Sequence, residues 1–261
     1  MDESPFDLSG KVALITGGNR GIGFGMAKAL ARANAHVAIW GRQSDANAKA
    51  VDELSELGYG DVGAWVVDVS DEDAVVEATA EVISEFDRID TCIANAGVGF
   101  GAPSFAEMST ETWRSNMAIN LDGAFWTMRE SAKHMVERGK TGDLGGSIIV
   151  VSSMAALEGA ARNQAYAATK GAVISMMKGV AVEHARYGVR ANAILPGWIA
   201  TDMTETAQDS DKFNSNVISR VPMRRWGAPE DFGGIVVYLS SNASAFHTGD
   251  TFVIDGGYTI F

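Results

Sequence analysis

The sequence predicts a single-domain α/β fold: one doubly wound parallel sheet of about seven strands with helices on both faces. Two observations carry this expectation. Short β-rich runs alternate with longer helix-like segments over the whole chain, the alternation that builds a parallel sheet through crossover helices. Most of the strand-like runs are continuously apolar rather than alternating, as strands covered on both faces must be. At 261 residues with 46% hydrophobic residues, the chain can bury one large core without splitting, and residues 1–261 are expected to form one domain.

In order, the strand-like runs are Val12–Thr16, Val37–Trp40, Ala64–Val67, Thr91–Ala94, Ser147–Ser152, Ala191–Leu195 and Phe252–Ile254. Between them lie Gly23–Ala33, Ala46–Leu57, Asp71–Phe86, Thr110–Arg138, Tyr166–Ala185 and Pro229–Leu239, each helix-like in length and period. The glycine clusters at Gly97–Gly101 and Lys140–Gly146 read as loops within the domain. The long polar-rich stretch Trp198–Trp226 has no clear helix or strand pattern, yet carries Met203, Phe213 and Met223. Such a segment is often a lid that closes over a ligand and excludes water.

Charge and composition narrow the function. A net charge of −12 argues against nucleic-acid and anionic-membrane partners, since phosphate surfaces demand a basic patch. No apolar run approaches the ~18 residues of a membrane span. The acidic start MDESPFDLSGK reads as no secretory leader, and Cys92 is the single cysteine, so a cytoplasmic setting is expected. His36, His134, His184 and His247 share no metal-ligand spacing, and no metal is expected.

Three stretches carry chemistry. In Ser153–Lys170, SMAALEGAARNQAYAATK, Tyr166 and Lys170 stand one helical turn apart on one face. An ammonium there is expected to favour the phenolate and lower the tyrosine pKa from ~10. Ser153, at the end of an apolar strand, can bring a second hydroxyl to the same carbonyl oxygen. After the first strand comes Thr16-Gly17-Gly18-Asn19-Arg20-Gly21-Ile22-Gly23. Its glycines let backbone N–H groups and a helix N-terminus approach a pyrophosphate. At the end of strand two, where an acidic residue would bind the ribose of NAD, stands Trp40-Gly41-Arg42. Arg42 and Arg20 together suit a 2′-phosphate, so NADP(H) is favoured over NAD(H). The alternative leaves Arg42 in solvent and gives the ribose to Asp45.

Taken with Asp68-Val69, Asn95-Ala96-Gly97, Asn120, Pro196-Gly197 and Asp255-Gly256-Gly257, these motifs run in the order of the short-chain dehydrogenase/reductase family. The chain resembles that family over nearly its whole length, and within it the beta-ketoacyl-carrier-protein reductase-like members. The run Arg224-Arg225-Trp226-Gly227-Ala228-Pro229-Glu230-Asp231 strengthens this likeness. The resemblance implies a Rossmann-type fold and a role for each matched residue. Tyr166 is the implied general acid/base, Lys170 tunes it and holds the nicotinamide ribose, and Ser153 orients substrate. Asn120 holds a water in a proton relay, a role compatible with a helix kink. Asp68 and Val69 receive the adenine. Asn95, Ala96 and Gly97 lie beneath the cofactor, though Asn95 also reads as a strand-tying residue. Gly17, Asn19, Arg20, Gly21, Ile22 and Gly23 form the cradle. Pro196, Gly197 and Ile199 meet the carboxamide, with Thr201 near the phosphates. Met154, Trp198 and Met203 are expected at the substrate.

The chain departs from the family in the loop before Tyr166, where Ala156 and Ala161 replace glycine and proline and Glu158 and Arg162 add charge. These charges either touch substrate or face water. The acidic chain weakens the case for an acidic carrier protein as substrate unless a basic patch exists. Arg129, Lys133, Arg138, Lys140 and Arg162 are its candidates. Helix Tyr166–Ala185 has little polar face, so burial on both sides is expected, and with the resemblance this points to a homotetramer. The leading function is an NADP(H)-dependent oxidoreductase acting on a small or acyl-chain ketone or alcohol. The alternatives are an NAD-dependent alcohol, polyol or sugar dehydrogenase and a non-catalytic nucleotide-binding regulator.

Overall fold

Residues 4–58 and 60–261 are described by the computed structural model. Seven parallel strands form one sheet in the order β3-β2-β1-β4-β5-β6-β7. They are β1 Val12–Thr16, β2 His36–Gly41, β3 Val62–Val66, β4 Thr91–Ala94, β5 Gly146–Val151, β6 Val189–Pro196 and β7 Thr251–Ile254. The chain starts at the centre on β1, winds outward to β3, then returns to β4 and winds the other way. This reversal leaves a crevice at the carboxyl ends of β1 and β4, which pair directly with Ala13 opposite Thr91.

The helices connect the strands as the alternation requires. They are α1 Gly21–Arg32, α2 Ser44–Ser55, α3 Glu72–Phe86, α4 Thr110–Met117, α5 Gly123–Lys140, α6 Ala155–Glu158, α7 Gln164–His184, α8 Glu205–Gln208, α9 Asp211–Val217 and α10 Gly233–Ser240. Successive strand side chains point to opposite faces, so each strand feeds two cores. Leu14, Cys92 and Ile148 pack with Val82 of α3, Met135 of α5 and Met177 of α7. Ile15, Ile93 and Ile149 pack with Leu30 of α1, Leu54 of α2 and Val236 of α10 on the other face. The thiol of Cys92 is fully buried, and its pKa is pushed up to about 12 by that burial. Among the described residues no helix is long and apolar enough to cross a membrane.

Three expectations are corrected here. The helix expected over Thr110–Arg138 is interrupted by a π-helical turn at Ala118–Asp122; such turns insert a residue without ending the helix and recur at functional sites. The Trp198–Trp226 stretch is structured: it holds short 3₁₀ turns at Asp202–Thr204 and Ile218–Arg220 besides α8 and α9. Pro229 opens a 3₁₀ turn, Pro229–Phe232, before α10 starts at Gly233, because proline suits a first turn and lacks the N–H that a helix interior needs.

Candidate active site

The glycine turn after β1 is built for a phosphate group. Gly17 and Gly21 have φ of +62° and +53°, a left-handed backbone that side chains disfavour. A Cβ at Gly23 would come within 2.2 Å of the Gly17 carbonyl oxygen, so only glycine allows the turn to close against α1. The first turn of α1 carries no acidic residue and its preceding residue, Arg20, makes no side-chain cap. Its N–H groups and positive dipole end therefore suit an anion, and a pyrophosphate fits this cradle. Ile22 lies in the first turn of α1 and packs against the core. Asn95 holds the turn from β4, its Nδ2 donating to the carbonyl oxygens of Thr16 and Gly17 at 2.8 and 3.2 Å, which is the strand-tying reading.

Beyond β2 the structure places Arg42 and Arg20 against different carboxylates. Arg42 lies 4.0 Å from Asp68 and Arg20 lies 3.8 Å from Asp202, all four side chains exposed. Loose exposed ion pairs of this kind contribute only ~0–1 kcal/mol, so either guanidinium is available to a stronger anion. Burial would raise the Asp68 pKa, but hydrogen bonds from the Ser70 hydroxyl and N–H, with the Arg42 charge, hold it below the usual carboxylate range. Val69 is buried in the core. Asp45, the alternative ribose ligand, sits in the first turn of α2.

Ser153, Tyr166 and Lys170 come together where β5 ends and α7 begins. Thr169 and Lys170 are buried along the inner face of α7 with Ala165, Val173 and Met177, so packing fixes the helix's rotation and hence the two side chains. Lys170 Nζ donates to the Val151 carbonyl at 2.8 Å and lies 5.5 Å from the Tyr166 ring centre. The expectation that Lys170 lowers the phenol's pKa is corrected. Burial pushes the Tyr166 pKa up, with the Ser153 hydrogen bond opposing it, and burial pulls Lys170 down to about 8. Both groups are governed by desolvation, because the amine is turned to a backbone carbonyl.

Asn120 sits on the π-helical turn, buried. Its amide is paired with the backbone of Val98, accepting from N–H and donating to the carbonyl at 2.8 Å each, and Nδ2 also meets Thr169 Oγ1 at 3.3 Å. Asn120 and Lys170 approach one another across Gly97, where a Cβ would lie 3.2 Å from Asn120 Oδ1 and 3.3 Å from Lys170 Nζ. Ala96 is tied in too, its N–H donating to Thr16 Oγ1 at 2.9 Å.

Pro196 ends β6, and Gly197 lies so close to Asp255 that a Cβ would come within 2.5 Å of the aspartate's own Cβ. Ile199 is buried, bridging to Gly227. Thr201 caps the following 3₁₀ turn and stands over the cradle, its methyl 3.4 Å from a Cβ placed on Gly21. Met154 is buried with Val221 and Tyr258 in a small cluster onto which Trp198 packs. Met203 is exposed, with its sulfur 4.0 Å from a Cβ placed on Gly99.

A family model described as enoyl-(acyl carrier protein) reductase matches residues 17–259. The chain is 37% identical to gluconate 5-dehydrogenase of Gluconobacter oxydans, over 98% of this chain and 97% of that one. It is 34% identical to 3-oxoacyl-[acyl-carrier-protein] reductase of Chlamydia pneumoniae, over 97% and 98% of the two. Among solved structures, the gluconate 5-dehydrogenase of Burkholderia cenocepacia in complex with NADP and tartrate superposes with a TM-score of 0.91 at 34% identity, covering 98% of this chain and 97% of that chain. The protein is a short-chain dehydrogenase/reductase. As a member of this family it is an oxidoreductase of CH–OH groups.

Two polar residues of this short-chain dehydrogenase/reductase, Asn47 and Thr16, have ties at the site that the sequence did not assign. Asn47 of α2 is buried; its Nδ2 donates to the carbonyls of Gly41 and Trp65 at 3.0 Å each, and its Oδ1 accepts from Asn19 at 2.7 Å. It clips the cradle to the ends of β2 and β3. Thr16 Oγ1 accepts from the N–H groups of Asn95 and Ala96, joining β1 to β4 at the crevice. The proposed basic patch does not form. Arg129 pairs with Glu72 and Glu130, Lys133 with Glu130, Arg138 with Asp90 and Asp143, and Lys140 with Glu137. Glu158 ends α6 and Arg162 lies in the loop before α7, both exposed; Arg162 adopts φ of +66° and its carbonyl accepts from Ala102 N–H at 2.8 Å.

Proposed function

We propose that this protein is an NADP(H)-preferring dehydrogenase of a small polar ketone or alcohol, with Tyr166 as its acid/base. One observation carries the reading: α7 presents Tyr166 and Lys170 beside Ser153 at the carboxyl end of β5, within the fold whose crevice holds the glycine cradle. NADP(H), when bound, supplies or accepts the hydride. In reduction, the Tyr166 phenol, kept protonated by burial, donates its proton to the carbonyl oxygen while the Ser153 hydroxyl bonds that same oxygen. Lys170, buried with its amine on the Val151 carbonyl, would hold the cofactor ribose. Asn120 and Lys170, facing each other across Gly97, support a path returning a proton to Tyr166.

Preference for NADP rests on Arg42 and Arg20, loosely paired and exposed, and on the absence of a carboxylate at Trp40-Gly41-Arg42. The NADP-bound neighbour agrees with it. The pairing of the four basic residues on α5 with carboxylates favours a small molecule over a carrier-borne acyl chain. Residues 198–226 are proposed as the substrate lid. A homotetramer is supported by the α5–α7 face, where Phe125, Met176 and Val180 line an open groove of ≈ 480 Å³ and Val182 is 83% exposed.

The test is NADPH consumption with a panel of ketones, and NADP reduction with the matching alcohols. Tyr166→Phe should lower kcat by ~10²–10⁴-fold. Retained activity in that variant would remove Tyr166 from its role.

A further inference from the structure

Buried polar atoms ordinarily find partners. Two that do not, among the described residues, are Asn163 Oδ1, at the start of the helix that carries Tyr166, and Trp198 Nε1, in a ring packed on the cluster of Met154 beside Ser153 in the chain. Asn163 is the N-cap of α7, three positions before Tyr166, with non-helical φ of −137° and ψ of 39°. It is the residue that opens α7, where an asparagine normally caps the free N–H groups, yet its side chain makes no capping bond. The amide instead lies against Gly99, whose added Cβ would come within 3.3 Å of Asn163 Nδ2 and 4.0 Å of Met203 Sδ. Asn163 therefore reaches the gap between the Gly97–Gly101 strap and the 198–226 segment. Gln164 Oε1 is also without a partner, but two residues from Tyr166 is about 200° around the helix, which turns it away from the site.

Trp198 lies in the segment that follows β6. Its ring stands edge-on to Phe213, Trp226 and Tyr258 at 4.9, 6.2 and 6.5 Å, and it packs on the cluster of Met154, the residue after Ser153. Within this aromatic group Trp226 Nε1 donates to Asn214 Oδ1 at 2.7 Å and the Tyr258 hydroxyl accepts from Arg220 at 2.9 Å. Trp198 is the member whose polar atom is unspent.

We infer that Asn163 and Trp198 are specificity residues, an acceptor and a donor that take hydroxyl groups flanking the reacting carbon, so that the enzyme selects polyhydroxylated ketones and alcohols over apolar chains. This rests on the dehydrogenase reading above and names its substrate class. A substrate hydroxyl satisfies a buried amide or indole where a methylene leaves it stranded, and sites of that kind discriminate strongly against the analogue lacking the hydroxyl.

The experiment measures NADPH-dependent reduction of sorbose and a keto-gluconate against hexanone and an acetoacetyl thioester. The native enzyme should favour a polyhydroxylated ketone by at least about 100-fold in kcat/KM. Asn163→Leu and Trp198→Phe should each raise KM for that ketone about tenfold, and by more than for hexanone. Asn163→Asp, which keeps an acceptor, should recover most of the loss. A native preference for hexanone or the thioester would overturn the inference while leaving the dehydrogenase reading intact, as would equal losses on hydroxylated and plain ketones in both variants. A native protein inactive on every ketone and alcohol would sink the dehydrogenase reading and this inference with it.

Discussion

The two ends of the sheet spend their polar groups in opposite ways. At the amino end, Asp90 lies almost fully buried before β4 and is saturated. It accepts from Val12 N–H at 3.0 Å, from Arg88 at 2.6 and 2.8 Å and from Arg138 at 3.3 Å, with Lys11 at 3.6 Å. One carboxylate thus fastens β1, β4 and the end of α5. At the carboxyl end Thr16, Asn47 and Asn95 fasten the loops, but Asn163 and Trp198 keep bare polar atoms, Lys170 is buried on a single carbonyl bond, and Arg20 and Arg42 rest loosely on carboxylates. A charge paired on all sides stabilises the fold; a group left partly bonded at the crevice is available to a ligand. Stability and chemistry are divided along the strand direction.

Substitutions at the two ends should therefore fail differently. The largest effect is expected from Asp90→Asn, which removes the buried charge shared by Arg88 and Arg138 and leaves Asp143 as their carboxylate partner. Unfolding free energy should fall by ~3–5 kcal/mol, read by urea denaturation, with kcat per folded molecule unchanged. Burial pushes the Asp90 pKa up, but the Arg88 and Val12 bonds and the Lys11 and Arg88 charges outweigh it and hold it low. Its stabilisation is thus complete above the ordinary ~3.9 and is lost as pH falls below that value through the lowered one. A native protein whose stability is flat over that acid range would break the contrast.

Arg42→Ala should raise the NADP KM by ~10–100-fold, the value of one charge-assisted hydrogen bond, and leave the NAD KM alone. Equal NADP and NAD constants in the native enzyme would contradict the phosphate reading. The smallest effect concerns Lys170, whose pKa burial lowers to about 8. Its ammonium is lost as pH rises through that value, so carbonyl reduction should decline above it in a pH profile of kcat. The unfolded chain holds the proton more tightly, so the lysine's cost to folding fades between about 8 and ~10.4.

The architecture was legible because continuous apolar runs and helical periods are local. β1 and β4 have the expected bounds, whereas β2, β3 and β6 extend into His36, Gly41, Val62-Gly63 and Val189-Arg190, where polar residues and glycine hide a strand that pairing sustains. The π-helical turn was not legible, since one added residue scarcely changes an apolar period. Nor were the ties made by Asn47 and Thr16, whose partners lie far away in sequence. That Ser153, Tyr166 and Lys170 come together was readable from spacing and resemblance. The electrostatics between Tyr166 and Lys170 were not, because they depend on which way Nζ turns.

The most direct test takes Tyr166→Phe and Asp90→Asn side by side, recording Tm and kcat with NADPH on the same preparations. Tyr166→Phe should lose ~10²–10⁴-fold in kcat at a nearly native Tm, and Asp90→Asn should lose Tm with kcat retained. NADPH oxidation persisting at native rate in Tyr166→Phe would contradict the account.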